Sequence, residues 1–217
     1  MPTRPRLGVL GSREWYCVDA RCFAAAAGLA LARRFVSLEL VTNAMDAVQK
    51  DTAEAFLREA VALGRAGPDA LSVRLMTPGD VDGAVAGDLL TAELAAGSGV
   101  VRRIVAGSTH AESRKALADA VDACLLISGG PGSAAVAEEV HSRGKPVLCV
   151  PCTGGAAAGH FWLPKSLRRA PPWLSAQPSG LSIWRTLCAR QRTEEEASFG
   201  ADAAAKVLHN VLHRAKL

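Results

Sequence analysis

The sequence predicts a three-layer α/β domain, with a mainly parallel sheet of about six strands between two layers of helices. Three observations carry this reading. Short apolar runs recur at 7–10, 38–42, 70–76, 100–105, 123–127 and 146–150, each of strand length. Between them lie Ala-rich stretches with helical spacing, so strand and helix alternate along the chain. The runs at 7–10 and 123–127 break abruptly into glycine and serine, the punctuation of a strand-to-helix turn.

The first strand, 7–10, ends at Gly11 and Ser12. A helix is expected over 22–34, where Ala dominates, and a second strand over 38–42. The stretch 52–63 carries Phe56, Ala60 and Leu63 on one face of a helix. Gly64 and Gly67-Pro68 stop it before a third strand at 70–76. The Gly- and Asp-rich segment 77–88 predicts a loop leading into a further helix, and 100–105 a strand that Arg102 and Arg103 make less regular. A helix over 113–121 precedes 123–127, the most strand-like run of the chain. A Gly-rich turn then opens a helix over 134–142, which Gly144 caps before the last strand at 146–150. Residues 1–160 make up this domain. Residues 161–217 form an irregular extension packed on it as a lid or dimer contact, closed by a helix over 201–215.

A chain of 217 residues suffices for one well-buried domain, whereas two would each be small. Its formal net charge of +4 is mild, and suits an anionic small ligand without demanding nucleic acid. Cys17, Cys22, Cys124, Cys149, Cys152 and Cys188 sit in a chain too large and apolar to need staples, which predicts free thiols in a reducing compartment. Residues 1–6 are basic, yet the apolar stretch after them is too short for a signal core. No run approaches the ~20 apolar residues of a membrane span. The expectation is a cytoplasmic protein with no membrane association.

The chemistry concentrates in Ser128-Gly129-Gly130-Pro131-Gly132-Ser133, between a strand and a helix. Such a turn aims several backbone N–H groups from the positive end of a helix dipole, and glycine lets an anion approach them closely. Ser133 adds a hydroxyl. The turn has neither the Gly-Lys-Ser/Thr of a Walker loop nor the spacing of the dinucleotide fingerprint. It predicts a phosphate site of another kind, against the plainer reading of a tight turn without a ligand. Gly11, Ser12 and Arg13 would form a second wall of a cleft at the carboxyl ends of the strands. Asn43 has the groups to bond a base or ribose, or to serve its own turn. Arg114 is suited to neutralising phosphate by bidentate hydrogen bonds, or to a solvated helix face.

Cys149 and Cys152 have the spacing of a redox or metal pair, but no second pair completes a zinc site, and they read as buried small hydrophobes. His209 and His213 read as surface histidines, and His110 and His160 as loop residues near the cleft. No metal site is expected.

Arg114-Lys115, the strand 123–127, the Gly-Gly-Pro-Gly-Ser turn and Gly144-Lys145-Pro146-Val147 together resemble the LOG or "lysine decarboxylase-like" proteins, a Rossmann-like superfamily often called SLOG. Gly8-Val9-Leu10-Gly11-Ser12 resembles their first strand and turn, and Leu40-Val41-Thr42 the strand that runs into a Gly-Gly turn, here Asn43-Ala44. Thr153-Gly154-Gly155-Ala156-Ala157 resembles a loop of nucleotide-sensing members, which adds Thr153, Gly154 and Gly155 to the expected lining. The resemblance spans residues 7–160 and is strongest over 114–147. It implies a nucleotide-binding Rossmann-like fold, with Gly129, Gly130, Gly132 and Ser133 at the family's Gly-Gly-x-Gly-Thr turn and Arg114 at its arginine.

What the resemblance implies for function divides in two. Some members are phosphoribohydrolases that cleave cytokinin nucleotides, using that arginine and a Glu two or three residues beyond the Thr. Others only bind, as molybdenum cofactor carriers of algae and bacteria or as nucleotide sensors. Ala135 and Val136 stand where the Glu would be, and Glu138 and Glu139 come about one helical turn too late. Glycosidic cleavage needs a carboxylate against the developing ribosyl cation or its water, so its loss favours binding. The expected function is a homodimeric carrier or sensor of a phosphorylated nucleotide-like or pterin-phosphate ligand, a nucleotide or molybdenum cofactor, with no other cofactor required. The alternative is a hydrolase releasing a base from a nucleoside 5′-monophosphate, with Arg114 and Glu138 or Glu139 catalytic. A third class, single-stranded nucleic-acid binding, rests on Trp162, Trp173 and Trp184 among Lys165, Arg168, Arg169, Arg185, Arg190 and Arg192. Pro164, Pro171, Pro172 and Pro178 and the mild charge argue against it.

Overall fold

The computed structural model describes residues 4–13, 16–43, 47–77 and 88–214. In chain order, β1 (Arg6–Leu10), α1 (Val18–Arg34), β2 (Leu38–Thr42), α2 (Ala47–Ala62), β3 (Leu71–Thr77), α3 (Asp88–Ala96), β4 (Val101–Val105), α4 (His110–Ala120), β5 (Ala123–Ile127), α5 (Pro131–Ser142) and β6 (Val147–Val150) alternate strand with helix. Three further helices follow: α6 (Pro172–Ser175), α7 (Gly180–Cys188) and α8 (Glu194–Arg214). The strands form one sheet in the order β4-β3-β2-β1-β5-β6, and every pairing is parallel. This is the three-layer, Rossmann-like α/β architecture that the alternating pattern predicts.

The apolar strands serve both layers because successive side chains point to opposite faces. Leu7, Val9, Leu40, Val73, Leu75, Leu125 and Ile127 join one core with Phe23, Phe35 and Phe56 from α1, its C-terminal edge and α2, and with Leu208 from α8. Leu10, Val41, Met76, Cys124, Leu126 and Cys149 join the other, with Leu117 from α4 and Val136 and Val140 from α5. Phe23, Phe35 and Phe56 are wholly buried, each stabilising the fold by roughly 1.5–3 kcal/mol.

Several helices begin earlier than the apolar spacing alone predicts: α1 at Val18 rather than 22, α2 at Ala47 rather than 52, and α8 at Glu194 rather than 201. At α4 the cause is a capping box. The Thr109 hydroxyl accepts from Glu112 N and the Glu112 carboxylate accepts from Thr109 N, both at 3.2 Å. Thr193 and Glu196 make the same exchange at 3.2 and 3.1 Å before α8. Leu63, expected on a buried face, lies just past the end of α2 and is exposed. Most of the loop expected over 77–88 lies outside the described residues, with Thr77 ending β3 and α3 opening at Asp88.

The charges in the strands also have a place. Glu39 on β2 is 1% exposed, and Arg4, Arg74 and Arg102 converge on its carboxylate at 2.8, 2.6 and 2.6 Å. Arg102 therefore ties β4 to β2 across β3 instead of disrupting it. Beyond residue 160, Trp173 and Trp184 are partly buried against the cores, while Leu174 and Leu187 are wholly buried. Those two tryptophans contribute to packing, whereas Trp162 is 88% exposed. Among the described residues, no helix is long and apolar enough to cross a membrane.

Candidate functional site

Strand order reverses at β1: the chain builds outward through β2, β3 and β4, then returns to place β5 on the other side of β1. The helix after β1 packs on one face of the sheet and the helix after β5 on the other. A crevice must therefore open between the carboxyl ends of β1 and β5, where open α/β sheets bind ligands. A cavity of about 420 Å³ lies there, within the range of small-molecule sites.

The lining brings together residues far apart in sequence. Gly11, Ser12 and Arg13 come from the end of β1, Asn43 from the end of β2, Arg114 and His110 from α4, and Gly130, Gly132 and Ser133 from the start of α5. Leu10, Met76, Leu117 and Val136 supply an apolar wall. Arg13 and Arg114 bring two guanidinium groups, and no described lining residue is a carboxylate. Such a field favours an anion.

The amino end of α5 is built to be open. Gly130 is its N-cap, Pro131 begins the helix, no side chain caps it and its first turn holds no acidic residue. The N–H groups of Gly132 and Ser133 lie in that first turn, where no helical carbonyl reaches them. A Cβ placed on Gly132 would meet nothing within 4 Å. The Ser133 hydroxyl, expected to face a phosphate, instead donates to the Gly11 carbonyl and ties the β1 turn to α5.

The second glycine loop stands behind the first. Ser128 adopts φ 57° and Gly129 φ 97°, a left-handed pair held from behind. Ser128 N donates to Thr153 Oγ1 at 2.7 Å, and that hydroxyl donates to the Val150 carbonyl at 2.6 Å. Ala156 N and Ala157 N donate to the Gly129 and Ser128 carbonyls at 2.7 and 2.8 Å. Gly129, Thr153, Gly154 and Gly155 are absent from the cavity lining, and the Gly129 carbonyl and Thr153 hydroxyl are spent in shaping the turn.

Glu138 is exposed on α5, and Glu139 pairs with Arg143; neither lines the cavity, whereas Val136 does. His160 stays outside, its ring edge-on to Phe161 at 6.2 Å. The six cysteines are free. Burial pushes the Cys149 and Cys152 thiols up to about 12, so both stay protonated at neutral pH. His209 is half-buried rather than a plain surface residue. It lies 5.0 Å from the Phe35 ring and 4.0 Å from that of His213, and burial holds its pKa below the ordinary value. Among the described residues, no three His, Cys, Asp or Glu side chains gather to hold a metal.

Among the lining residues that escaped the sequence reading are the polar side chains of Ser113, Tyr16 and Gln49. Tyr16 lies just before α1, and its ring meets Phe161 at 5.6 Å; no local pattern marks it. Gln49 is 3% exposed on the first turn of α2, and its Oε1 has no hydrogen-bond partner. A signal for it existed, since Gln49 continues the spacing of Ala53, Phe56 and Ala60 and is polar on a buried face.

The fold is a doubly wound α/β architecture with a cavity at the β1–β5 switch point. No family model matches the chain, and no curated protein matches it. Among solved structures it is similar to TM1055, an X-ray structure from structural genomics, with TM-score 0.50 and 18% identity over 70% of this chain and 78% of that one. It is also similar to the molybdenum cofactor binding protein of Rippkaea orientalis, with TM-score 0.49 and 17% identity over 68% and 77% of the two chains. The molybdenum cofactor carrier protein of Chlamydomonas reinhardtii gives TM-score 0.46 and 17% identity over 67% and 75%. The likeness to TM1055 is one of fold.

Proposed function

We propose that this protein binds a phosphorylated nucleotide-like or pterin-phosphate ligand as a carrier or sensor, without hydrolysing it. The observation that carries the reading is the open amino end of α5, which shares with Arg114 the lining of a cavity that holds no carboxylate among its described residues. The phosphate would take the N–H groups of Gly132 and Ser133, with Arg114 and Arg13 neutralising its charge. Charge-assisted hydrogen bonds of this kind contribute about 1.5–3 kcal/mol each. Met76, Leu117 and Val136 would cover the ring of a heterocycle, and Asn43 would bond its edge or its sugar. The hydrolytic alternative needs a carboxylate against the sugar, and Glu138 and Glu139 lie outside the lining.

Native mass spectrometry of gently purified protein tests this, with Gly132→Asp as the control. A bound mass matching a nucleotide or pterin phosphate, absent from the variant, is the expected result. A clean apo mass together with no binding across a nucleotide panel would overturn it. The protein acts as a homodimer with Trp162 at the contact, so light scattering at micromolar concentration should read twice the 22.6 kDa chain mass.

A further inference from the structure

We infer that Tyr16 is a ligand-binding residue, whose hydroxyl donates a hydrogen bond to the anion held at the amino end of α5. The inference rests on the phosphate-cradle reading of α5 and adds to it a side chain from the other side of the crevice. An N-cap side chain ordinarily takes the N–H groups of the second and third helical residues. In α5 those residues are Gly132 and Ser133, and the N-cap is Gly130, which has no side chain to offer. Among the described residues, chain neighbours apart, the one atom within 4 Å of where a Cβ on Gly130 would stand is Tyr16 Oη, at 3.7 Å. The phenol oxygen thus borders the space that a capping acceptor would use. The plainer role, capping α5 itself, is not taken: Tyr16 makes a ring contact but no hydrogen bond among the described residues. Two backbone N–H groups and a phenol O–H that converge in this way are all donors, and such a set suits an oxyanion.

The side chain is both within reach and held in place. Tyr16 is 41% exposed and lines the cavity, so a ligand entering the crevice meets it. On one side its Cβ lies 3.3 Å from where a Cβ on Gly154 would stand, a contact that a larger residue at 154 would crowd. On the other its ring meets that of Phe161, tilted by 54°. Phe161 and Trp162 have φ of 55° and 59°, a left-handed pair that bulky residues rarely adopt and that is typical of ligand sites. That strained backbone sets Phe161 beside the Tyr16 ring. A ring held between Gly154 and Phe161 loses little further freedom when an anion arrives, so ordering offsets little of what the hydroxyl gains.

Tyr16 is the only tyrosine of the chain, so a carbon-13 label at tyrosine Cζ gives a single NMR signal from the carbon that bears the hydroxyl. Titrating the labelled wild-type protein with inorganic phosphate, and separately with AMP, should move that signal along a curve with the same Kd as calorimetry gives. Tyr16→Phe keeps the ring and removes only the oxygen. It should bind both probes about tenfold more weakly. Its apo melting temperature should stay where it was, because the hydroxyl has no protein partner to lose. A Cζ signal that does not move at saturation, or undiminished binding of both probes by Tyr16→Phe, would overturn the inference while leaving the cradle intact. Failure of wild-type protein to bind either probe would overturn the cradle and the inference together.

Discussion

The glycine turns after β5 and β6 are alike in composition and opposite in surroundings. In the first, Gly132 has open space where a side chain would stand. In the second, a Cβ on Gly155 would sit 2.5 Å from the Gly129 carbonyl and 2.9 Å from the Tyr16 ring. One glycine leaves room for a ligand; the other lets two stretches of backbone touch. The second turn is a bed for the first, through Thr153 and the N–H groups of Ala156 and Ala157. Damage to it should therefore reach the ligand through stability, and damage to the first should reach the ligand directly.

The sharpest way to break that contrast is Gly155→Ala. Its φ of 57° disfavours any side chain, and the added methyl would collide with backbone, so a loss of about 3 kcal/mol in denaturant melts is expected. Stability within about 0.5 kcal/mol of the wild type would show that the two turns are not packed as described. Thr153→Val comes next. It preserves shape but strands Ser128 N, for an expected loss of about 1–3 kcal/mol and weaker ligand binding in proportion. Gly132→Asp should do the reverse, because a carboxylate in the first turn of a helix stabilises it by about 0.3–1 kcal/mol while repelling a phosphate. A melting temperature held or raised, with phosphate affinity down at least about tenfold, is the outcome that separates the turns. Binding undiminished in that variant would remove the first turn from the site.

The smallest effect supplies a control far from both turns. Burial, followed by the nearby charges of His213 and Arg34, depresses the folded-state pKa of His209 below 6.5. The unfolded chain then binds the proton more readily, so this contribution is absent above pH 6.5 and costs stability as the pH falls through and below it. Thermal melts at pH 7.5 and 5.5 should show an acid loss that His209→Gln reduces, with no change in ligand affinity at pH 7.5.

Most of the fold was legible because it rests on local physics. Continuous apolar strands with helical stretches between them can be buried only as a parallel sheet covered on both faces, and the runs around Leu7, Leu40, Val73 and Leu125 obey that rule. Helix starts were read too late from apolar spacing, because the capping boxes of Thr109 with Glu112 and Thr193 with Glu196 open α4 and α8 before the first apolar positions. The Gly-rich turn could be read at Gly130 and Gly132, since glycine between a strand and a helix is a local statement about backbone.

What the sequence by itself determined was thus the alternation of elements, the parallel sheet and the Gly-rich turn at the head of α5. The tertiary structure alone decided that Gly155 props up the turn and Gly132 faces the cavity, that Ser133 spends its hydroxyl on Gly11, and that Gln49 is buried with an unanswered acceptor. Those outcomes depend on contacts between residues that are distant in the chain, such as Ser133 with Gly11, 122 positions apart. Residue type and spacing set what a side chain is able to do. Which partner it meets follows from the order in which the strands assemble.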